Sequence, residues 1–306
     1  MSSATGASSK SRFDFKVRGR NYLLLLILSV IWGLAFDAIS VADTLLSPVN
    51  LTLLRWIIAA LGFLAILPFL GKSKTKFDSK DLPRLIFISF ANVPLYHLSI
   101  NFGETTVSPG IAGLLVALGP IFIVLLSRIS LKEQIGKRLA SALIIATIGA
   151  ILLSVPGLMG SSSAATGDLE IILTALAYAL FAVFAKPLVA KYGALPVAIW
   201  AGTIGTLMLI PLFSQSFVAQ VSTLPMIGWL AVLYLSLLST VLGYSMFYTL
   251  ISRGNVSRLS IQLYLIPIVS IAGGILLLGE QITPLTVAGG AALLLAVALA
   301  TRSQTK

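Results

Sequence analysis

The chain has 306 residues, 58% of them hydrophobic and only 10% charged, with 21 Lys and Arg against 10 Asp and Glu. A soluble domain carries roughly 25% charged residues, so this chain cannot cover an exterior with water-facing groups, and lipid must take that place. The absence of cysteine excludes disulfides and thiolate metal sites, the single histidine excludes a multi-His metal centre, and no basic face is concentrated enough to bind nucleic acid.

Residues 1–20 form a polar, basic arm with Lys10, Arg12, Lys16, Arg18 and Arg20. The apolar run from Tyr22 to Val41 is as long as a spanning helix (~20 residues) rather than a signal-peptide core (~7–15), and is read as the first membrane helix. Apolar segments follow at about 49–70, 84–102, 108–127, 138–155, 170–190, 194–213, 224–250, 258–278 and 283–301. Each is near the ~17–25 residues that cross ~30 Å of hydrocarbon as a helix. None alternates with period two, which excludes a β-barrel. The spacing predicts an all-α polytopic membrane protein with ten transmembrane helices.

Charge orients the set. If the N-terminus is cytoplasmic, the loops on that side hold 20 of the 21 basic residues, every one except Arg55. The opposite loops, near residues 42–48, 103–107, 156–169, 214–223 and 279–282, hold none. This positive-inside bias places both termini in the cytoplasm, and an error of one helix would scramble it.

The chain also repeats itself. "LGPIFIVLLSRISLKEQIG" around Pro120 and "LIPIVSIAGGILLLGEQIT" around Pro267 align Pro120 with Pro267, Glu133 with Glu280 and Gln134 with Gln281. Each unit holds five helices, an odd number, so the second copy must be inserted upside down. The expected units are residues 21–156 and 168–302, two inverted five-helix repeats. Such repeats are the architecture of secondary transporters, whose substrate site lies near the midplane.

These motifs, with Trp32-Gly33 in the first helix and "LLRW" around Arg55 in the second, resemble the ten-helix EamA-type branch of the drug/metabolite transporter superfamily. The resemblance covers nearly all the chain after residue 20. It implies a multi-pass protein of the bacterial inner membrane that exports small molecules. Within that branch the chain is most similar to amino-acid and metabolite exporters, some of which prefer aromatic amino acids. The expected partners are the lipid bilayer and a small-molecule substrate, with the chain acting as a monomer and without a cofactor.

Ionisable groups inside a membrane are costly and are functional candidates by default. Asp37, Arg55 and His97 fall at similar depth, roughly 10 Å below the external surface by the ~1.5 Å rise. Asp37 and Arg55 could pair, could reach separately toward the headgroups, or could meet substrate. His97 could line a cavity, relay a proton or close an interhelical hydrogen bond. It sits in "NVPLYHLSIN", where Pro94 should bend the helix beside Tyr96 and Asn101. Tyr244 and Tyr248 share a helical face, with Gln262 and Tyr264 at similar depth. Tyr178, Trp200, Trp32 and Phe36 complete a candidate aromatic wall suited to an amphipathic small molecule. Pro120 and Pro267 should kink equivalent helices and serve gating, while Gly273-Gly274 and Gly289-Gly290 should allow close packing.

No G-x-x-x-x-G-K-[ST] phosphate loop is present. A carrier therefore leads over a broader facilitator or channel, and over an intramembrane enzyme or receptor. The enzyme reading lacks a paired set of acid and base groups at depth.

Overall fold

The computed structural model describes residues 5–70, 77–119, 121–123, 125–126, 137–160, 162–253 and 262–302. Pro120, Glu133 and Gln134 lie outside the described residues, as do the side chains of Gln262 and Tyr264. Among the described residues every regular element is helical. Six helices are long and apolar enough to cross a membrane: Leu23–Asp43, Pro48–Phe69, Ser79–Glu104, Ala165–Tyr192, Ala194–Leu212 and Met226–Ser252. Shorter apolar helices are Pro109–Ile123, Ile144–Leu153, Leu265–Leu278 and Pro284–Ala296.

The helices are labelled in chain order: α1 (Thr5–Asp43), α2 (Pro48–Ile66), α3 (Leu82–Phe90), α4 (Tyr96–Glu104), α5 (Pro109–Val116) and α6 (Lys137–Gly160). They continue with α7 (Ser162–Tyr192), α8 (Ala194–Leu209), α9 (Gln215–Ser222), α10 (Met226–Leu233), α11 (Gly243–Arg253), α12 (Gln262–Leu278) and α13 (Pro284–Arg302). Two π-helical segments, Ala91–Leu95 and Tyr234–Leu242, join α3 to α4 and α10 to α11 without interrupting the rod. Proline inside an α-helix clashes with the preceding turn and removes a donor. Pro94 lies inside the first π segment, where the wider turn absorbs that defect. His97 and Tyr244, each the second residue after such a segment, are 147 apart in sequence.

Local chemistry sets the breaks. The Ser47 hydroxyl caps α2 by accepting from the Asn50 N–H at 3.4 Å, with Pro48 in the first turn. The Gln220 carbonyl oxygen accepts from Ser47 N at 2.9 Å and Asn50 Nδ2 at 2.8 Å, tying this cap to α9. Gly193, at φ 91°, turns α7 into α8 in one residue, a conformation open to glycine and strained for other residues. At the start of α3, Asp81 accepts from Lys191 Nζ and Tyr192 Oη, both at 2.6 Å, and so clasps the end of α7.

Close approach depends on small residues, as expected where lipid supplies no hydrophobic drive between helices. A Cβ on Gly33 of α1 would fall 2.5 Å from the Val269 Cβ and 3.1 Å from the Ile266 carbonyl of α12. Gly289 packs on the Gly149 carbonyl oxygen, which brings α13 onto α6, and Gly290 packs on Leu114. Gly273 receives the Asp37 carboxylate and Gly274 that of Glu280.

Candidate functional site

The two π segments converge on an internal cavity. Trp32 and Phe36 of α1, Arg55 of α2, Tyr96 and His97 of α4, and Tyr178 of α7 line it with Ser239 and Tyr244. Each segment feeds a polar group inward: His97 follows the first, and Ser239 and Thr240 lie within the second. A π turn moves later side chains around the helix and leaves backbone carbonyls available to other donors, and it recurs at functional sites. The Ser239 carbonyl accepts here from Trp32 Nε1 at 2.9 Å, fixing the indole against the segment.

The walls are aromatic. Trp32 lies 5.5 Å from the Tyr244 ring and 6.3 Å, edge-on, from Tyr178. Trp56, buried behind the wall, sits 5.0 Å from His97 and 5.9 Å from Tyr244. His97 Nε2 and the Tyr244 hydroxyl share a hydrogen bond at 3.2 Å, bridging the two helices across the cavity wall. Phe181 and Phe247 back the rings from the far side.

Arg55 is the cavity's charged group, and it is only 3% exposed. Its Nε donates to Thr240 Oγ1 at 3.0 Å and its Nη2 to Ser239 Oγ at 3.2 Å. Of the three readings open to the sequence, the Asp37–Arg55 pair does not form: both Asp37 oxygens lack a hydrogen-bond partner among the described residues. Equal depth along two helices does not fix rotation about them, and the two side chains turn to different neighbours. Asp37 lies against Gly273 and lines a separate, mostly apolar recess of about 260 Å³ with Leu34, Val41, Tyr234 and Leu277. Glu104 is likewise buried, with neither oxygen hydrogen-bonded among the described residues.

The structure thus brings Trp32, Tyr96, His97, Tyr178 and Tyr244 together, with Arg55 beside them. Asn101 is buried outside the lining and donates to Thr52 Oγ1 at 2.8 Å. Tyr248 is buried behind Tyr244, its ring 6.4 Å away. Trp200 packs at the edge of the core and does not reach the cavity. Pro267 is buried in α12 one residue from the lining Ile266, and Ser270 Oγ donates to the Pro109 carbonyl at 2.7 Å. Sequence reasoning missed Ser239, Thr240 and Trp56. The polar interruption in "YLSLLSTVLGY" was the available signal for the first two.

The space between these side chains is small. Room for the centres of water molecules amounts to about 30 Å³, where one water needs roughly 10–15 Å³. Water fits, but a ligand of amino-acid size does not until the lining helices separate.

The model of the EamA-like transporter family matches residues 19–155 and again residues 165–302. An uncharacterized transporter of Archaeoglobus fulgidus is 32% identical over 93% of this chain and 100% of its own length. A probable terminal-alkyne amino-acid exporter of Streptantibioticus cattleyicolor is 30% identical, covering 87% of this chain and 88% of that protein. A probable amino-acid metabolite efflux pump of Escherichia coli is 29% identical, covering 87% and 90%. A solved crystal structure superposes with a TM-score of 0.67 over 94% of this chain and 99% of that one, and at 19% identity it speaks for the fold alone.

Proposed function

The chain belongs to the EamA-like transporter family of membrane transporters, and on that premise we propose that it is a secondary carrier exporting amino acids, aromatic ones among them, and related small metabolites by alternating access. The observation that carries this reading is the cavity itself. An aromatic box holding one guanidinium, a histidine and tyrosine hydroxyls suits an amphipathic molecule with a polar head. Its smallness supports a carrier over a standing pore, because helices that must part to admit substrate can do so on one face at a time. The relatives from Streptantibioticus cattleyicolor and Escherichia coli, a probable terminal-alkyne amino-acid exporter and a probable amino-acid metabolite efflux pump, support the same substrate class.

The proposed architecture is ten spanning helices in two inverted five-helix halves, residues 21–156 and 168–302, with both termini in the cytoplasm of the plasma membrane. Beside the 147-residue offset of the sequence repeat, two observations support it: the paired matches of the family model and the His97–Tyr244 bond. That bond joins two residues separated by that same offset. Equivalent residues of two repeats can touch only close to the axis relating them, so the reading puts the cavity on that axis. Purified protein in liposomes, loaded with a panel of labelled amino acids, tests the function. Saturable, self-competed flux of at least one amino acid is expected, and its absence for every candidate with correctly folded protein would sink the reading.

A further inference from the structure

Burying a guanidinium in a low-dielectric site is costly unless a counter-charge accompanies it. Arg55 is 3% exposed, lines the cavity, and has no carboxylate within 4 Å among the described residues. Its partners are two neutral hydroxyls, which engage two of the five N–H donors an arginine offers. The hydroxyls of Ser239 and Thr240 hold the planar group by one edge, and Thr240 is itself held by donating to the Leu235 carbonyl at 2.8 Å. The remaining donors keep the fork geometry that matches a carboxylate with two parallel hydrogen bonds. Among the described residues the cavity lining includes no acidic side chain. Its other walls are the rings of Trp32, Tyr96, Tyr178 and Tyr244, whose faces attract a cation only weakly compared with a carboxylate.

We propose that Arg55 is the carboxylate-binding group of the transport cavity, so that the protein selects substrates by their carboxylate and tolerates loss of the amino group. This deepens the amino-acid reading and rests on it. The substrate's counter-charge arrives with the substrate, and its apolar part lies against the aromatic wall. The class therefore extends to monocarboxylates without an ammonium group, such as arylpropionates. An amide or amine of the same shape is disfavoured, because it leaves the guanidinium buried without a counter-charge.

Thermal-shift titration of the purified protein with matched ligands separates this proposal from the transport reading. Phenylalanine and 3-phenylpropionate are expected to stabilise the protein at comparable concentrations, with phenylalaninamide roughly tenfold weaker or worse, as loss of a charge-assisted bidentate pair implies. Arg55→Gln should abolish the distinction between acid and amide, and Arg55→Lys should restore part of it, with both variants monodisperse. Equal stabilisation by acid and amide, or none by either acid, overturns the assignment of Arg55. Acid-selective binding with no flux of any ligand in liposomes instead overturns the carrier reading and leaves the assignment standing.

Discussion

His97 and Tyr244 meet at 3.2 Å, and both are buried. A buried polar group left without its partner costs roughly 1–3 kcal/mol, whereas losing both partners together costs less than the sum. Tyr244→Phe and His97→Ala should each lower the apparent Tm of the detergent-solubilised protein, and the double variant should fall short of their added losses. Strict additivity would mean that the bond contributes nothing. The candidate side chains were legible in the sequence because tyrosine, histidine and arginine inside apolar runs stand out as costly. Their partners were not. Asp37 and Arg55 share a depth, but Arg55 turns to Ser239 and Thr240 while Asp37 packs on Gly273. Rotation about a helix axis is set by packing against neighbours that an apolar run does not name.

Two glycines isolate different physics among the helices. Gly33 allows α1 to lie against α12, and an added Cβ would meet the Val269 side chain and the Ile266 backbone. Gly279 ends α12 at φ 68°, with nothing within 4 Å of an added Cβ. Gly33→Ala should therefore cost about 1–3 kcal/mol through overpacking, and should disturb transport because Trp32 and Phe36 flank the same turn. Gly279→Ala should cost about 1 kcal/mol from backbone strain alone, leaving flux unchanged. Apparent Tm and flux, measured together, check both. The Glu280 carboxylate accepts from the Gly110 N–H at 3.2 Å, joining the end of α12 to the start of α5. In the sequence Glu280 stands out as the repeat partner of Glu133, which does not identify the helix it reaches. The π segments were also hidden: they add residues to a turn without breaking the apolar pattern, yet they aim His97, Ser239 and Thr240 inward.

For the whole molecule, the charge ledger predicts which ends share a face of the membrane. The chain has no cysteine, so single cysteines report topology without background. Cysteines at Thr44, Thr105, Ser216 and Gln281, all exposed, should react with an impermeant maleimide added outside intact cells. Those at Ser79 and Ser252, also exposed, should react only after permeabilisation. A mixed pattern would break the ten-helix inverted arrangement, and a uniformly reversed one would put both termini outside. Two pairs of helix ends are tied together in this structure, the start of α2 to α9 by Gln220 on the Ser47 cap and the start of α3 to the end of α7 by Asp81 on Lys191 and Tyr192. Such fastening fits a cavity too small for a ligand of amino-acid size.

The central claim is that this cavity opens alternately to each side and is filled by substrate. Ala35 lines it and is 6% exposed, so Ala35→Cys places one small thiol in the proposed path. Reaction of that thiol with an impermeant reagent should proceed from either face of sided vesicles and should slow when phenylalanine or another transported carboxylate is present. Labelling from one face alone, or at a rate that no carboxylate changes, would contradict the account.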